Sequence, residues 1–355
     1  MLTQDAAVDI ETTAPWRSPH VTHKSAGTRL LEAFEAFERF PAFAPARGQV
    51  LDAEDGPKIG VDAVAAVESD LALTVAVLRR ANADRSRGEQ VGTVPEALER
   101  IGEEGLRAVV EGAPIFDFFE HSGLWGSAPE IHRLHALATQ RAAARIATAT
   151  SYRRVDELLV AALLHDLGKL VLTHADMRYA ELPDAAMMSP ERRIDRERRA
   201  LGVDHALVGG VLARRWMLPR ELARAIERHH HPGETGLPGL VRLADMVARF
   251  EAGNPVDSAQ MRDAAASVGL DVPALRELLA APPAGERRST TPSPLTPAEH
   301  RVVLELSKGH VYKEIASTLN LSVSTVRTHL YNAYKKIGVA DRAQAILLAK
   351  EHRWI

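Results

Sequence analysis

Seven residues in the middle of the chain have side chains suited to metal or phosphate chemistry: His135, His165, Asp166, His205, His229, His230 and Asp245. Each stands where the periodicity of its helix calls for an apolar side chain. His135 shares a face with Ile131, Ala138, Ala142 and Ile146, and His165 and Asp166 close the apolar run LLVAALL just before Leu167, Gly168 and Lys169. His205 lines up with Val208, Leu212 and Trp216, and His229 and His230 end a helix whose inner face is Leu222 and Ile226. Asp245 lies with Val241, Ala248 and Ala252. One inward histidine is ordinarily a satisfied core residue. Five helices that each send histidine or aspartate inward need another account. Buried carboxylates without a counter-charge are costly, and neutral imidazoles do not supply that charge. A divalent metal does. Imidazole nitrogens with carboxylate oxygens suit iron, manganese, zinc or nickel, and an aspartate that bridges suits two ions close together.

A second set of residues, near the C-terminus, is suited to binding. KEIASTLNLSVSTVRTHLYNAYKKIG runs from Lys313 to Gly338. Ile315, Ala316 and Leu319 give a first helix one apolar face, Asn320 and Leu321 make a turn, and the Ser322 hydroxyl caps a second helix. Val326, Leu330, Tyr334 and Ile337 recur at helical spacing and point inward, which leaves Ser324, Thr325, Arg327, Thr328 and Tyr331 on the outer face. Hydroxyls and a guanidinium on one exposed face suit phosphate oxygens and base edges of double-stranded DNA.

Charge separates the two regions. Beyond Pro294, nine lysines and arginines stand against five acidic residues, a local charge of +4 in a chain whose net charge is -3. The remainder is therefore acidic, at about -7, and nucleic-acid contact is expected only in the tail.

The elements that must position these residues are helical. Alanine, leucine, arginine and glutamate dominate, and aromatics make up only 5% of the 355 residues. Leu30, Leu31, Phe34, Phe37 and Phe40 are expected on one helix face, and Leu71, Leu73, Val75, Val77 and Leu78 on a helix opened by Ser69 and Asp70. The chain has no cysteine, which excludes a disulfide framework and thiolate metal sites. The longest wholly apolar run, Leu158 to Leu164, is too short to span a bilayer, and the first two dozen residues do not read as a signal peptide. No membrane contact and a cytoplasmic location are the expectation. His20 and His23 read as solvated, as do His300, His310 and His352, and the Arg-rich run Arg192 to Arg199 reads as a solvated face.

Both regions resemble known families. From Leu295 to Ile355, LTPAEHRVVLELSKG, KEIA, STVRTHL and KKIGVADRAQAILLA resemble the LuxR/FixJ-type helix-turn-helix domain. That resemblance implies a four-helix domain whose second motif helix enters the major groove and whose last helix, Arg342 to His352, pairs two domains, hence a homodimer. It implies Arg327, Thr328 and Tyr331 toward bases and Lys313, Ser324, Thr325, Lys335 and Lys336 on the DNA-binding face. Tyr312 and Tyr331 depart from the family pattern, so base preference does not transfer.

LLVAALLHDLGKLVL is similar to the signature of the HD superfamily of metal-dependent phosphohydrolases. FPAFAPARGQVLDA, VESDLALTVAVLRRAN, VPEALERIG, HALAT, DHALVGGVLARRW and AIERHHHP follow the order of its HDOD branch, from about Arg29 to Leu279. This implies that His135, His165, Asp166 and Asp245 bind the first metal pair and that His205, His229 and His230 complete a two-metal site. If the site is catalytic, Asp166 would bridge the ions and Lys169 would neutralise a phosphate. A nucleotide or cyclic-dinucleotide ligand is implied too, although GETGLPG only loosely resembles the GYP loop and Ile131 stands where the cyclic-dinucleotide enzymes have an acid.

The resulting expectation is an all-α chain with a loosely packed segment at 1–26, an HDOD/HD-like helical domain at 27–280, a Pro/Ser/Thr-rich linker at 281–294 and the helix-turn-helix domain at 295–355. The function expected is a DNA-binding regulator whose metal-holding domain senses a ligand. The alternative is a metal-dependent phosphohydrolase or phosphodiesterase with a regulatory DNA-binding tail.

Overall fold

A computed structural model of the chain describes residues 26–37, 42–51, 59–84, 88–113, 115–116, 128–175, 179, 188–280, 293–337, 339, 342–352 and 354–355. His20, His23, Phe40 and most of the expected linker lie outside them. The N-terminal helices are α1 (Ala26–Phe37), α2 (Ala44–Leu51), α3 (Val61–Glu68), α4 (Leu71–Asn82) and α5 (Val94–Gly112). Asp70 caps α4 by accepting from the Leu73 amide at 2.9 Å. Within α5, Gly102 takes φ 70°, a left-handed conformation that kinks the helix. The described residues contain one small departure from all-α architecture, a parallel pairing of Ala42–Phe43 (β1) with Ile115–Phe116 (β2). On α1 the expected apolar face is narrower than the spacing suggested: Ala33 is buried and Phe34 partly so, but Leu31 is half exposed.

The second half of the body comprises α6 (Ala128–Thr150), α7 (Val155–Leu164), α8 (Leu167–Ala175), α9 (Pro190–Leu201), α10 (His205–Arg215), α11 (Arg220–Arg228), α12 (Gly236–Glu251), α13 (Ser258–Ser267) and α14 (Val272–Ala280). Helix α7 is its axis. Leu158, Val160, Ala161, Ala162, Leu163 and Leu164 are all buried, and α6, α11 and α12 pack around them. Val155–Ala175 is long and apolar enough by composition to cross a bilayer, yet it is broken at His165 and Asp166 and mostly buried in the protein core. Gly168 brings α8 against the backbone of α10, because a Cβ there would lie 1.9 Å from the His205 carbonyl oxygen. Only glycine permits that approach.

The C-terminal unit is α15 (Pro297–Ser307), α16 (Tyr312–Leu319), α17 (Val323–Ile337) and α18 (Arg342–Glu351) around Val302, Val303, Leu306, Ile315, Val326 and Leu330. Asn320 takes φ 54°, ψ 47° and makes the turn between α16 and α17, and Ser322 caps α17 through the Thr325 amide at 3.0 Å. At the start of α15, Thr296 and Glu299 form a reciprocal capping box, and both Glu299 carboxylate oxygens also accept from Lys336 Nζ at 2.8 Å. That carboxylate ties α15 to α17. Glu299→Ala removes the box and the strut together and is expected to destabilise this unit by about 1–2 kcal/mol, seen as faster hydrogen exchange of α15 amides.

The unit is not suspended free of the body. Leu134 of α6 packs into its core, and Leu347 of α18 packs against the body's core. Leu137, Gln140 and Arg141 of α6 face Val339 and Leu348 around a cavity of about 220 Å³.

Candidate metal centre and nucleic-acid interface

Five element ends or faces deliver the seven residues to one place. His135 comes from α6, His165 and Asp166 from the α7–α8 break, His205 from the first turn of α10, His229 and His230 from the end of α11, and Asp245 from α12. His205 stands at its position because Asp204 caps α10, accepting from the Leu207 amide at 2.8 Å. The donor atoms fall into two groups that share a border: Asp166, His205, His229 and His230, with atoms within 4.8 Å of one another, and His135, His165 and Asp245, equally close.

Asp166 stands on that border. Its Oδ1 faces His205 Nε2 at 3.2 Å and His229 Nε2 at 3.8 Å, whereas Oδ2 faces His165 Nε2 at 3.4 Å and His135 Nε2 at 3.5 Å. His205 Nε2 and His230 Nε2 are 3.0 Å apart, and His135 Nε2 is 2.9 Å from Asp245 Oδ1. With metal–nitrogen distances of about 2.1 Å, ligand atoms in one shell are roughly 3.0–3.4 Å apart, so these separations fit a shared ion.

The outward sides of the rings fix their orientation. His165 Nδ1 donates to Ala162 O and His229 Nδ1 to Ile226 O, each at 2.7 Å, and His205 Nδ1 meets Glu197 Oε2 at 2.6 Å. Every one of these rings turns Nε2 into the cluster. His165 Nε2, His229 Nε2 and Asp166 Oδ1 are buried there without a hydrogen bond. Nε2 atoms turned inward, with Nδ1 anchored outward to carbonyl or carboxylate, are the arrangement that metal-binding histidines require. The donor set therefore fits a divalent ion.

The electrostatics overturn one part of the sequence argument. Asp166 and Asp245 do have protein counter-charges: Lys169 Nζ bonds Asp166 Oδ2, and Arg249 Nε donates to Asp245 Oδ1 at 2.9 Å. Lys169 is thus buried against a carboxylate. The shifts follow. Burial alone would raise both aspartates, but His165 and Lys169 hold Asp166, and Arg249 and His135 hold Asp245, well below the usual carboxylate range. Burial pushes His165 down but Asp166 and Asp245 outweigh it, raising the imidazole to about 9, whereas His229 is lowered to about 4 mainly by burial.

Three participants escaped sequence reading. Glu197, read as part of a solvated charge run, is buried; its Oε2 also accepts the His205 amide at 2.8 Å, and its Oε1 accepts from Tyr179 OH at 2.7 Å. Pro190, Ile194 and Glu197 are the buried positions of α9, a helical spacing that was legible but hidden among arginines. Arg249 lies one turn beyond Asp245 on α12. His132, one turn before His135, is lowered to about 3 by burial.

On the C-terminal unit, Ser324, Arg327, Thr328 and Tyr331 are exposed along α17, Thr325 is partly so, and Lys313 and Lys335 are exposed nearby. Tyr331 is the most exposed of the large hydrophobic side chains among the described residues, at 67%. Lys336, expected on the same face, spends its ammonium on Glu299. His300, His310 and His352 are half-buried rather than solvated: His300 meets Trp354 O, His310 pairs with Glu305 at 2.8 Å, and His352 stacks on Trp354.

Comparison with known proteins follows the same division. Residues 40–232 match the HDOD domain family, and residues 293–349 match the LuxR family of bacterial regulatory proteins. The response regulator VraR of Staphylococcus aureus is 39% identical over 61 residues, 17% of this chain. The chain spans only 29% of the length of those curated relatives. Among solved structures, the MmoQ response regulator of Methylococcus capsulatus is 21% identical with a TM-score of 0.54, covering 68% of this chain and 98% of that one. A virulence factor of Campylobacter jejuni is 16% identical with a TM-score of 0.52, covering 71% and 93% respectively. Both likenesses are of fold.

Proposed function

We propose, from the premise that this chain belongs to the HDOD-domain family and ends in a LuxR-family domain, that it is a DNA-binding transcription regulator. Its body holds a divalent metal, senses a ligand there, and controls the reader. The observation that carries this reading is mechanical. Helix α17 presents Arg327, Thr328 and Tyr331 outward, while α18 of the same unit lies on α6, the helix that bears His135.

Asp166, His205, His229 and His230, with His135, His165 and Asp245 beside them, are the residues that would hold metal. A bound divalent ion would supply concentrated positive charge and Lewis acidity toward an anionic ligand such as a nucleotide or cyclic dinucleotide. The chain's own residues orient the donors: Ala162 and Ile226 carbonyls and Glu197 fix the imidazoles, and Lys169 and Arg249 hold the carboxylates. Displacement of α6 as its His135 end responds to ligand would shift α18. The reading includes binding of double-stranded DNA by a homodimer in the cytoplasm. Selection from random double-stranded oligonucleotides by the full chain is expected to enrich one sequence; no enrichment would sink the reading.

A second reading, a metal-dependent phosphohydrolase or phosphodiesterase, is favoured by the convergence of unbonded His165 Nε2, His229 Nε2 and Asp166 Oδ1. Metal-loaded protein should then turn over a model phosphodiester, a nucleotide or a cyclic dinucleotide, and His165→Ala should abolish it. Absence of turnover with all three rejects it.

A further inference from the structure

The two donor groups are chemically unequal. In the His135, His165 and Asp245 group, the ligand atom Asp245 Oδ1 already accepts from both His135 Nε2 and Arg249 Nε, each at 2.9 Å. The Asp166 oxygen on that side, Oδ2, is taken by Lys169. Both carboxylate oxygens facing this group are therefore neutralised and hydrogen-bonded by cations of the chain. An incoming dication would have to displace those bonds and sit against two fixed positive charges.

The other group also feels Lys169 across the Asp166 carboxylate, but its own carboxylate oxygen, Asp166 Oδ1, is bonded by no lysine or arginine. Asp166 Oδ1 has no hydrogen bond, His229 Nε2 has none, and His205 Nε2 faces His230 Nε2 at 3.0 Å, lone pair toward lone pair unless one ring carries a proton there. Behind His205 stands Glu197, a buried carboxylate whose described partners are the His205 ring, the His205 amide and Tyr179 OH. Among the described residues no lysine or arginine is hydrogen-bonded or ion-paired to Glu197. Its carboxylate holds the ring by Nδ1 and so aims Nε2 into the cluster.

We infer that the chain takes one divalent ion, held by Asp166, His205, His229 and His230, with Glu197 as the positioning residue behind His205 and with Lys169 and Arg249 in the electrostatic place of a second ion. This rests on the metal-holding part of the reading above and changes its content. With one ion, the two-ion clamp for in-line hydrolysis is missing, and the centre suits ligand sensing through the coordination positions that the protein leaves open.

The test uses the full chain loaded anaerobically with Fe(II), Mn(II) or Zn(II) alone, then desalted. Metal analysis is expected to give one equivalent, and anomalous scattering from crystals to place it among Asp166, His205, His229 and His230. His229→Ala should lose it and His135→Ala keep it, with helicity by circular dichroism unchanged in both. Glu197→Gln should weaken the measured metal Kd by about 10–100-fold, with the helicity of the metal-free protein by circular dichroism unchanged. Two equivalents, or a single ion among His135, His165 and Asp245, would overturn the inference while leaving the metal reading intact. Zero equivalents in the unaltered chain would overturn both.

Discussion

Gly168→Ala should leave the chain largely insoluble, or melting far below the parent. The alanine Cβ would lie 1.9 Å from the His205 carbonyl oxygen, 2.7 Å from its carbon and 2.9 Å from the Gly209 amide nitrogen. All three neighbours are backbone, so no side chain can swing away. Helices α8 and α10 would have to separate by more than an ångström, and the packing of α8 on α1 and of α10 on α11 resists that. An extra methylene in a packed core usually costs about 1–3 kcal/mol; a backbone collision lies above that range, a large part of the roughly 5–15 kcal/mol that stabilises a typical domain. The displacement also carries His205 away from Asp166, so any protein that folds should lose metal affinity. A variant melting within about 2 °C of the parent would show that the two helices do not cross in this way.

The second large effect concerns the reader. Once a preferred sequence is selected, Arg327→Ala should weaken binding to it by about 1–3 kcal/mol, roughly 5–150-fold, and relax preference at one or two base pairs. Lys335→Ala should act differently, weakening all sequences alike and reducing the salt dependence of log K by about one unit. Lys336→Ala should do neither to the same degree, because that ammonium is held by Glu299 and its loss falls on the stability of the unit. Fluorescence anisotropy across a salt series separates the three. Equal, salt-independent losses for Arg327→Ala and Lys335→Ala would mean that α17 does not lie in the groove.

Local chemistry was largely legible in the sequence. Asp70 and Ser322 cap the helices they precede, Asn320 turns the chain in the left-handed region, and the histidines at apolar positions do meet. Less legible were partners supplied by another element. Glu197 sits among Arg192, Arg193, Arg196, Arg198 and Arg199, so its buried face was masked by its neighbours' charge. Arg249 follows Asp245 by one turn with nothing in the sequence to pair the two, yet it is a counter-charge for that buried carboxylate. The face of α1 was drawn too wide at Leu31 because spacing alone does not say which flank meets the core. The docking of α18 on α6 has no local signature: Leu134 and Leu347 each read as an ordinary apolar position of its own helix.

That docking has a consequence for how little free energy control requires. Two surfaces carried on one chain meet at an effective concentration on the order of millimolar. A contact as modest as Leu134, Leu347 and Leu348 against their neighbours need have an intrinsic dissociation constant of only about that size to be formed half the time. Its opening and closing then differ by little more than thermal energy, and a change of about 1.4 kcal/mol in how α6 receives α18 moves the ratio tenfold. Tethering makes a weak surface sufficient, and weakness makes it adjustable.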